Sequence, residues 1–257
     1  MSLLSCKNLD VRIAGIRVVD DLNLDIRPGE FWGLLGPNGI GKTTLLMCRA
    51  GLNEAAAGTV QLESRDIREL PRKLLARHIG MLQQHTVYVF DSSVMQTALT
   101  GRHPHLSYWE REGPEDILIA NKALAAVDLE GFSARSVTGL SGGEARRLAF
   151  ATLMVQQPEL MLLDEPTNHL DLRHQVQIMG MIRDRSLQGH HSAFAALHDI
   201  NLAARYCSHV VMLFGDGEWC AGRTSDMLTE QSLERLYHCP VERLDSSSGP
   251  RFHPNPA

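Results

Sequence analysis

The sequence has no cysteine pairing pattern. Its five cysteines, Cys6, Cys48, Cys207, Cys220 and Cys239, are scattered, and no C-x-x-C pair occurs. That excludes a disulfide framework or a zinc ribbon and indicates reduced thiols in a cytoplasmic setting. No apolar run approaches the ~20 residues that a bilayer-spanning helix needs. Residues Met1-Ser2-Leu3-Leu4-Ser5-Cys6-Lys7 lack the basic region and apolar core of a signal peptide. A basic excess is missing too: 25 Lys and Arg stand against 30 Asp and Glu, a formal net charge of -5, which gives no electrostatic reason to expect a nucleic-acid partner. No internal repeat or low-complexity block occurs. What remains is a composition of 44% hydrophobic and 21% charged residues, ordinary for a globular chain, and 257 residues are enough for a sizeable core in one or two lobes.

Against that plain background one stretch stands out. Gly36-Pro37-Asn38-Gly39-Ile40-Gly41-Lys42-Thr43 fits G-x-x-x-x-G-K-[ST], the phosphate-binding P-loop. Phe31-Trp32-Gly33-Leu34-Leu35 before it reads as a buried strand, and Thr44-Leu45-Leu46-Met47-Cys48 after it opens a helix. Glycines let successive N–H groups face the phosphates, and the helix N-terminus adds partial positive charge. In such a loop Lys42 reaches the β- and γ-phosphates and the Thr43 hydroxyl holds Mg²⁺.

Around this loop the chain alternates short strands and helices. Residues 3–12 and 17–26 alternate apolar with polar and predict a half-exposed antiparallel sheet. Further strands are predicted at Thr59–Leu62, from His78 into the polar stretch ending at His85, at Leu160–Leu163, from His191 to Leu197, and at Val210–Phe214, with a hairpin turn at Gly215-Asp216-Gly217 into Glu218–Ala221. Helices are predicted from Leu70 to Ala76, from an Asp91-Ser92-Ser93 cap through Thr100, from Gly113 to about Val127, over Ala145–Gln156, over Leu172–Leu187 and over Ile200–Tyr206. The helical insert over about residues 86–156 suggests a second subdomain. The tail from Ser246 onward is polar and reads as frayed.

Two further motifs carry chemistry. Leu160-Met161-Leu162-Leu163 runs into Asp164-Glu165, which puts carboxylates at the C-terminal edge of a buried parallel strand, where α/β sheets bind ligands. Asp164 would hold Mg²⁺ through its water shell, and Glu165, nearer the γ-phosphate, could polarise an attacking water. Leu140-Ser141-Gly142-Gly143-Glu144 starts a helix, and Ser141 with Glu144 makes a capping box. The capping box leaves the two adjacent glycines unexplained. Gly142 and Gly143 bare the first-turn N–H groups and so form a second anion site.

Taken together these motifs resemble the ATP-binding cassette subunit of an ABC transporter over about residues 3–240. Gly36–Thr43 matches Walker A, Leu160–Asp164 matches Walker B and Leu140–Glu144 matches the signature. His198 resembles the switch histidine, Gln84 the Q-loop glutamine with Gln83 as its neighbouring alternative, and Asn168-His169-Leu170-Asp171 the D-loop. The resemblance implies an α/β fold: a P-loop NTPase ABC cassette with a RecA-like core, an antiparallel β-subdomain and a helical signature subdomain. It implies one ATPase domain over residues 1–245, with 246–257 as a polar tail. ATP and Mg²⁺ are the implied cofactors. Gly36–Thr44, Asp164, Asp171 and, from a partner, Ser141, Gly142, Gly143 and Glu144 are the implied nucleotide contacts. Thr43, Gln84 and Asp164 would serve the metal, Glu165 would be the general base, His198 would touch the γ-phosphate, and Gln84 would also face the attacking water.

The same resemblance implies a head-to-tail pairing with a second copy, permease subunits in the membrane, and a periplasmic or lipoprotein substrate-binding protein as an indirect partner. The place of work would be the cytoplasmic face of the inner membrane. One departure concerns adenine. The aromatic residue that family members stack on the base falls near Ile13 here, with no Tyr, Phe or Trp close by, which leaves an aliphatic contact with Arg12 over the ring edge. Thr100–His105, Asp164–Gln175 and His198–Cys207 resemble the cassettes of type II importers for ferric siderophores, haem and cobalamin. His103 and His105 flank Pro104 without a third ligand nearby and read as a surface loop at the permease contact rather than a metal site. Rival readings fare worse. A soluble DNA-repair or chromosome-organising ATPase of the same superfamily needs coiled-coil or DNA-binding insertions that the chain lacks. A P-loop kinase or GTPase has no use for Ser141-Gly142-Gly143. A translation-factor cassette usually carries two copies in one chain.

Overall fold

A computed structural model describes residues 2–246 and 249–255. The two alternating stretches at the N-terminus form β1 (Leu4–Ile13) and β2 (Ile16–Ile26), an antiparallel pair. β3 (Phe31–Leu35) leads through the glycine-rich turn into α1 (Lys42–Arg49). β4 (Ala57–Leu62) pairs with β1, and β5 (Arg65–Asp66) closes a four-stranded sheet of order β2-β1-β4-β5. Next come α2 (Arg72–His78) and β6 (Ile79–Leu82). A helical stretch follows with α3 (Val94–Leu99), α4 (Pro114–Ala126) and α5 (Gly142–Gln156). Then come β7 (Leu160–Asp164), α6 (Leu172–Leu187), β8 (Ser192–Ala196), α7 (Ile200–Tyr206), β9 (His209–Gly215) and β10 (Glu218–Arg223). The chain continues through α8 (Thr224–Met227) and α9 (Glu230–Tyr237) to β11 (Val241–Ser246) and β12 (Gly249–Pro254).

The second sheet has six strands in the order β10-β9-β3-β8-β7-β6, and all but β10 run parallel. Every residue of β3, β7 and β8 is buried, so these strands read as unbroken apolar runs. Their period of two still sorts the side chains. Leu34, Leu162, Phe194 and Val211 join Leu45 and Leu46 of α1 and the antiparallel sheet in one core cluster. Leu35, Leu163, Ala195 and Met212 join Ile178 and Ile182 of α6 and Ala203 of α7 in the other.

The described C-terminal residues correct the expectation of a frayed tail. β11 and β12 form an antiparallel hairpin in which Phe252 is 2% exposed. The Asn201 side chain on α7 accepts from the Phe252 N–H (2.8 Å) and donates to the Phe252 carbonyl (3.1 Å). A single aromatic residue among polar ones carries no periodicity, which is why the hairpin escapes a reading by composition. The tail residues 247, 248, 256 and 257 lie outside the described residues. α8 and α9, also unforeseen, precede the hairpin. α9 is capped by Thr229, whose hydroxyl accepts from the Ser232 N–H at 3.1 Å.

One core residue is out of character. Arg49, in the last turn of α1, is fully buried. Its Nε donates to Cys6 Sγ at 3.3 Å and its guanidinium sits 4.1 Å from the centre of the Phe194 ring. Among the described residues Nη1 and Nη2 have no hydrogen-bond partner. Ring and helix C-terminus offset part of the desolvation cost, but no carboxylate among the described residues does. Arg49→Met should therefore stabilise the protein by on the order of 1–3 kcal/mol, or about 3–10 °C in Tm. Differential scanning calorimetry checks this, and a lower Tm would show that the ring and helix contacts outweigh desolvation.

Candidate functional site

The loop between β3 and α1 is shaped by one position above all. Gly41, the residue before the first turn of α1, has φ 103°, and a Cβ built there would fall 2.4 Å from Val18 Cγ2. Only glycine meets both demands. No side chain caps this helix start, which leaves its first N–H groups for an anion. The Lys42 ammonium is nearly buried and donates to the carbonyls of Gly36 (2.7 Å) and Pro37 (3.0 Å). Burial lowers its pKa, while the carboxylates of Glu165 and Asp164 oppose the shift. The Ile40 side chain is partly buried and packs on the core.

The sheet register brings the acids to this loop. Leu34 on β3 pairs with Ala196 on β8, and Ala196 pairs with Asp164 on β7. Asp164 is 1% exposed. Burial pushes its carboxyl pKa up, a hydrogen bond from the Thr43 hydroxyl pulls it down, and the neighbouring Glu165 adds a further push up. Its Oδ2 is buried and has no hydrogen-bond partner among the described residues. A lone carboxylate oxygen beside a threonine hydroxyl is a donor set that suits a hard divalent cation. Glu165 adopts a left-handed backbone, φ 50°. Its Oε1 meets His198 Nε2, and its Oε2 accepts from Asn168 Nδ2 at 3.1 Å. The carboxylate is thus held from two sides.

Lys42, Thr43, Glu165, Asn168 and His198 face one open cleft of about 580 Å³, while Gly36, Pro37, Ile40 and the buried Asp164 are not among its lining residues. Its walls come from Ile13 on β1, from Asn38, Gly39, Gly41, Lys42, Thr43 and Thr44, from Gln84 after β6, and from Glu165, Asn168 and His198. Gln84 and Gln83 part ways here, because Gln83 lines a neighbouring groove with Val87 and Tyr88. Ile13 occupies the cleft rim as an exposed aliphatic side chain, and Arg12 is not among the lining residues.

Other predicted residues lie elsewhere. Ser141 and Glu144 form the expected capping box on α5: the Glu144 N–H donates to Ser141 Oγ (3.3 Å) and the Ser141 N–H to Glu144 Oε2 (2.7 Å). Hydrogen bonds from the Ser141 N–H and hydroxyl hold the Glu144 carboxyl below its usual pKa. Gly143 is confined, since a Cβ there would come within 3.3 Å of the His169 carbonyl, but a Cβ on Gly142 would meet nothing within 4 Å. The described fold therefore gives no reason of its own for glycine at 142. None of Ser141, Gly142, Gly143 and Glu144 lines the cleft, and neither does Asp171, which caps α6 by accepting from the His174 N–H at 2.9 Å.

Reading by motif misses Arg146. It is 4% exposed, with Nη1 donating to the carbonyls of Gln83 and Gln84 (3.2 Å to the latter) and Nη2 to those of Asp164 (2.5 Å) and Glu165 (2.6 Å). A signal was present: Arg146 stands four and seven residues before the buried Phe150 and Leu153, on the apolar stripe of its helix.

Comparison with known proteins shows the family. The ABC transporter family profile matches residues 19–168. The chain is 36% identical to the hemin import ATP-binding protein HmuV of Pseudomonas aeruginosa, with 98% of each chain covered. It is 34% identical to the ferric enterobactin transport ATP-binding protein FepC of Escherichia coli, over 86% of this chain and 81% of that one. It is 36% identical to the cobalamin import ATP-binding protein BtuD of Halobacterium salinarum over 93% of its own length, but spans 59% of that relative. Among solved structures, an ABC transporter in an inward-facing conformation superposes with a TM-score of 0.84 at 25% identity, covering 98% of this chain and 96% of that one. The ATP-binding cassette MJ0796, in a dimeric post-hydrolysis state bound to ADP and Pi, gives a TM-score of 0.75 at 25% identity, covering 86% and 98%. With its phosphate loop, buried acidic strand end and capped signature helix in one α/β frame, the chain belongs to the ABC transporter family of ATP-binding cassettes.

Proposed function

We propose that this chain is the ATP-hydrolysing subunit of an importer, and that it couples ATP binding and hydrolysis in a cassette dimer to uptake of an iron chelate, haem or cobalamin. The observation that carries the reading is the convergence of Lys42, Thr43, Gln84, Glu165 and His198 on one cleft beside a buried, half-unpaired Asp164. Lys42 and the N-terminal turn of α1 bind the phosphates. Thr43, Asp164 and Gln84 hold Mg²⁺, which neutralises phosphate charge when bound. Glu165 accepts a proton from the attacking water, and His198 and Asn168 orient it. Ile13 supplies an aliphatic contact to the base.

The signature supports a dimer. Ser141, Gly142, Gly143 and Glu144 lie outside the cleft of their own chain, and the open space at Gly142 suits the phosphates of a partner's nucleotide. Head-to-tail pairing then gives each ATP two grips, with Asp171 of the D-loop at the seam. Val87 lines the groove beside Gln83, and Val87, Val89 and Phe90 are 79%, 77% and 85% exposed. Such apolar exposure suits a membrane permease at the cytoplasmic face of the inner membrane, with a substrate-binding protein acting through it. Among the described residues no helix is long and apolar enough to cross a membrane, which fits a peripheral subunit. The substrate class follows what the relatives are named for: cobalamin, hemin and ferric enterobactin. Co-purification from solubilised membranes tests the coupling. A polytopic partner, whose complex turns ATP over faster with haem-, cobalamin- or iron-chelate-loaded binding protein, is the expected result, and recovery of only soluble or DNA-associated partners would overturn it.

Glu165→Gln should bind ATP, turn it over about 10²–10⁴-fold more slowly and accumulate as a dimer. Steady-state kinetics and size-exclusion chromatography with ATP check this, and unchanged turnover would remove Glu165 from the base role. Ser141→Arg should keep nucleotide binding, read by calorimetry, and lose hydrolysis, because a long cation at the signature blocks the second phosphate grip. If Ser141→Arg turned ATP over normally, the head-to-tail arrangement would be wrong.

A further inference from the structure

Arg146 is the only side chain that the described hydrogen bonds join to both loops flanking the cleft floor. One of those loops follows β6 and carries Gln83 and Gln84; the other ends β7 and carries Asp164 and Glu165. Every acceptor is a backbone carbonyl. The guanidinium therefore acts on where the backbone of Gln84 and Glu165 stands and leaves their side chains free to face the cleft. A planar fork with fixed N–H directions suits this task, because it spans two separate pairs of acceptors at once. Burial lowers the Arg146 pKa, and the nearby Asp164 and Glu165 carboxylates oppose that shift in part. Nε remains buried without a partner among the described residues, a desolvation cost that a side chain kept only for packing would not carry.

We propose that Arg146 is a positioning residue for ATP hydrolysis. It sets the backbones of Gln84 and Glu165 relative to one another and ties both to α5. The proposal deepens the functional reading above, and rests on it for the roles of Glu165 and Gln84. α5 begins at Gly142, so Arg146 lies about one turn beyond the signature glycines on the same rigid helix. A shift of the signature end on meeting a partner's nucleotide is carried through that turn to Glu165 of the same chain. Each protomer's catalytic carboxylate thereby senses whether its own signature is engaged at the other nucleotide. The link needs no contact between the two cleft floors.

The test uses the full chain with Arg146→Lys and Arg146→Met. Lysine keeps the charge but presents a compact ammonium that cannot serve both carbonyl pairs in one geometry. Turnover at saturating Mg-ATP should fall about 10- to 100-fold in both variants, while the calorimetric Kd for ATP stays within about threefold of the parent, because the phosphate loop is untouched. Arg146→Met takes the guanidinium donor from four carbonyls, that of Asp164 buried and the other three half-buried, and could fail to fold; Arg146→Lys then carries the test alone. Turnover of Arg146→Lys at the parental rate would overturn the proposal. So would a fall in turnover matched by an equal loss of ATP affinity, which marks a merely structural role. The double variant Glu165→Gln with Arg146→Lys should still form the ATP-dependent dimer that Glu165→Gln forms. If Glu165→Gln alone fails to dimerise, the dimer reading fails; if only the double variant fails, Arg146 holds the signature end in shape for the partner and its assignment to hydrolysis is wrong.

Discussion

Because β3, β7 and β8 are buried on both faces, their backbone groups have to be satisfied by one another, and the parallel ladder that results aligns Leu34, Ala196 and Asp164 across the sheet. The site depends on that alignment. The loop that follows β3 and the acids that end β7 come from distant parts of the chain. They meet because parallel strands of matched register release their chains at the same edge. His198 shortly after β8 and Gln84 shortly after β6 arrive at the edge for the same reason.

At that edge the electrostatics are left incompletely resolved. Lys42 is paired with loop carbonyls and Asp164 keeps one bare oxygen, and burial disfavours the charged form of each. A fold selected for stability alone would pair them directly. Here the polar groups are spaced to admit phosphates and a cation between them. Arg49 shows the opposite case, a buried guanidinium at the far end of α1 from the loop, offset only by a ring and a helix terminus.

Helix α5 serves two places at once. Its N-terminus is capped by Ser141 and Glu144 and presents a glycine that no neighbour in the chain requires. One turn later Arg146 grips the carbonyls behind Gln84 and Glu165. A rigid helix makes these two functions inseparable, which gives the helical region a mechanical route to the cleft floor.

The sequence by itself determined the elements whose signals are local. A glycine-lysine-threonine loop between an apolar strand and a helix, an apolar run ending in two acids, and a serine three residues before a glutamate each declare their geometry within a few residues. The roles of Gln84 and His198, and Ile13 as the position near the base, were implied by the family resemblance rather than by a local signal. Only the tertiary structure decided the rest. Phe252 has no periodic neighbours, so its burial against α7 and the hairpin around it became visible only once Asn201 was in place to satisfy its backbone. Arg146 and Arg147 are adjacent and identical in type. One is buried against four carbonyls from two loops, while the other reaches out to the carbonyls of Val127 and Asp128. Which of two such neighbours faces inward is set by the rotation of the helix on the sheet, and that rotation is a property of long-range packing rather than of any local run of residues.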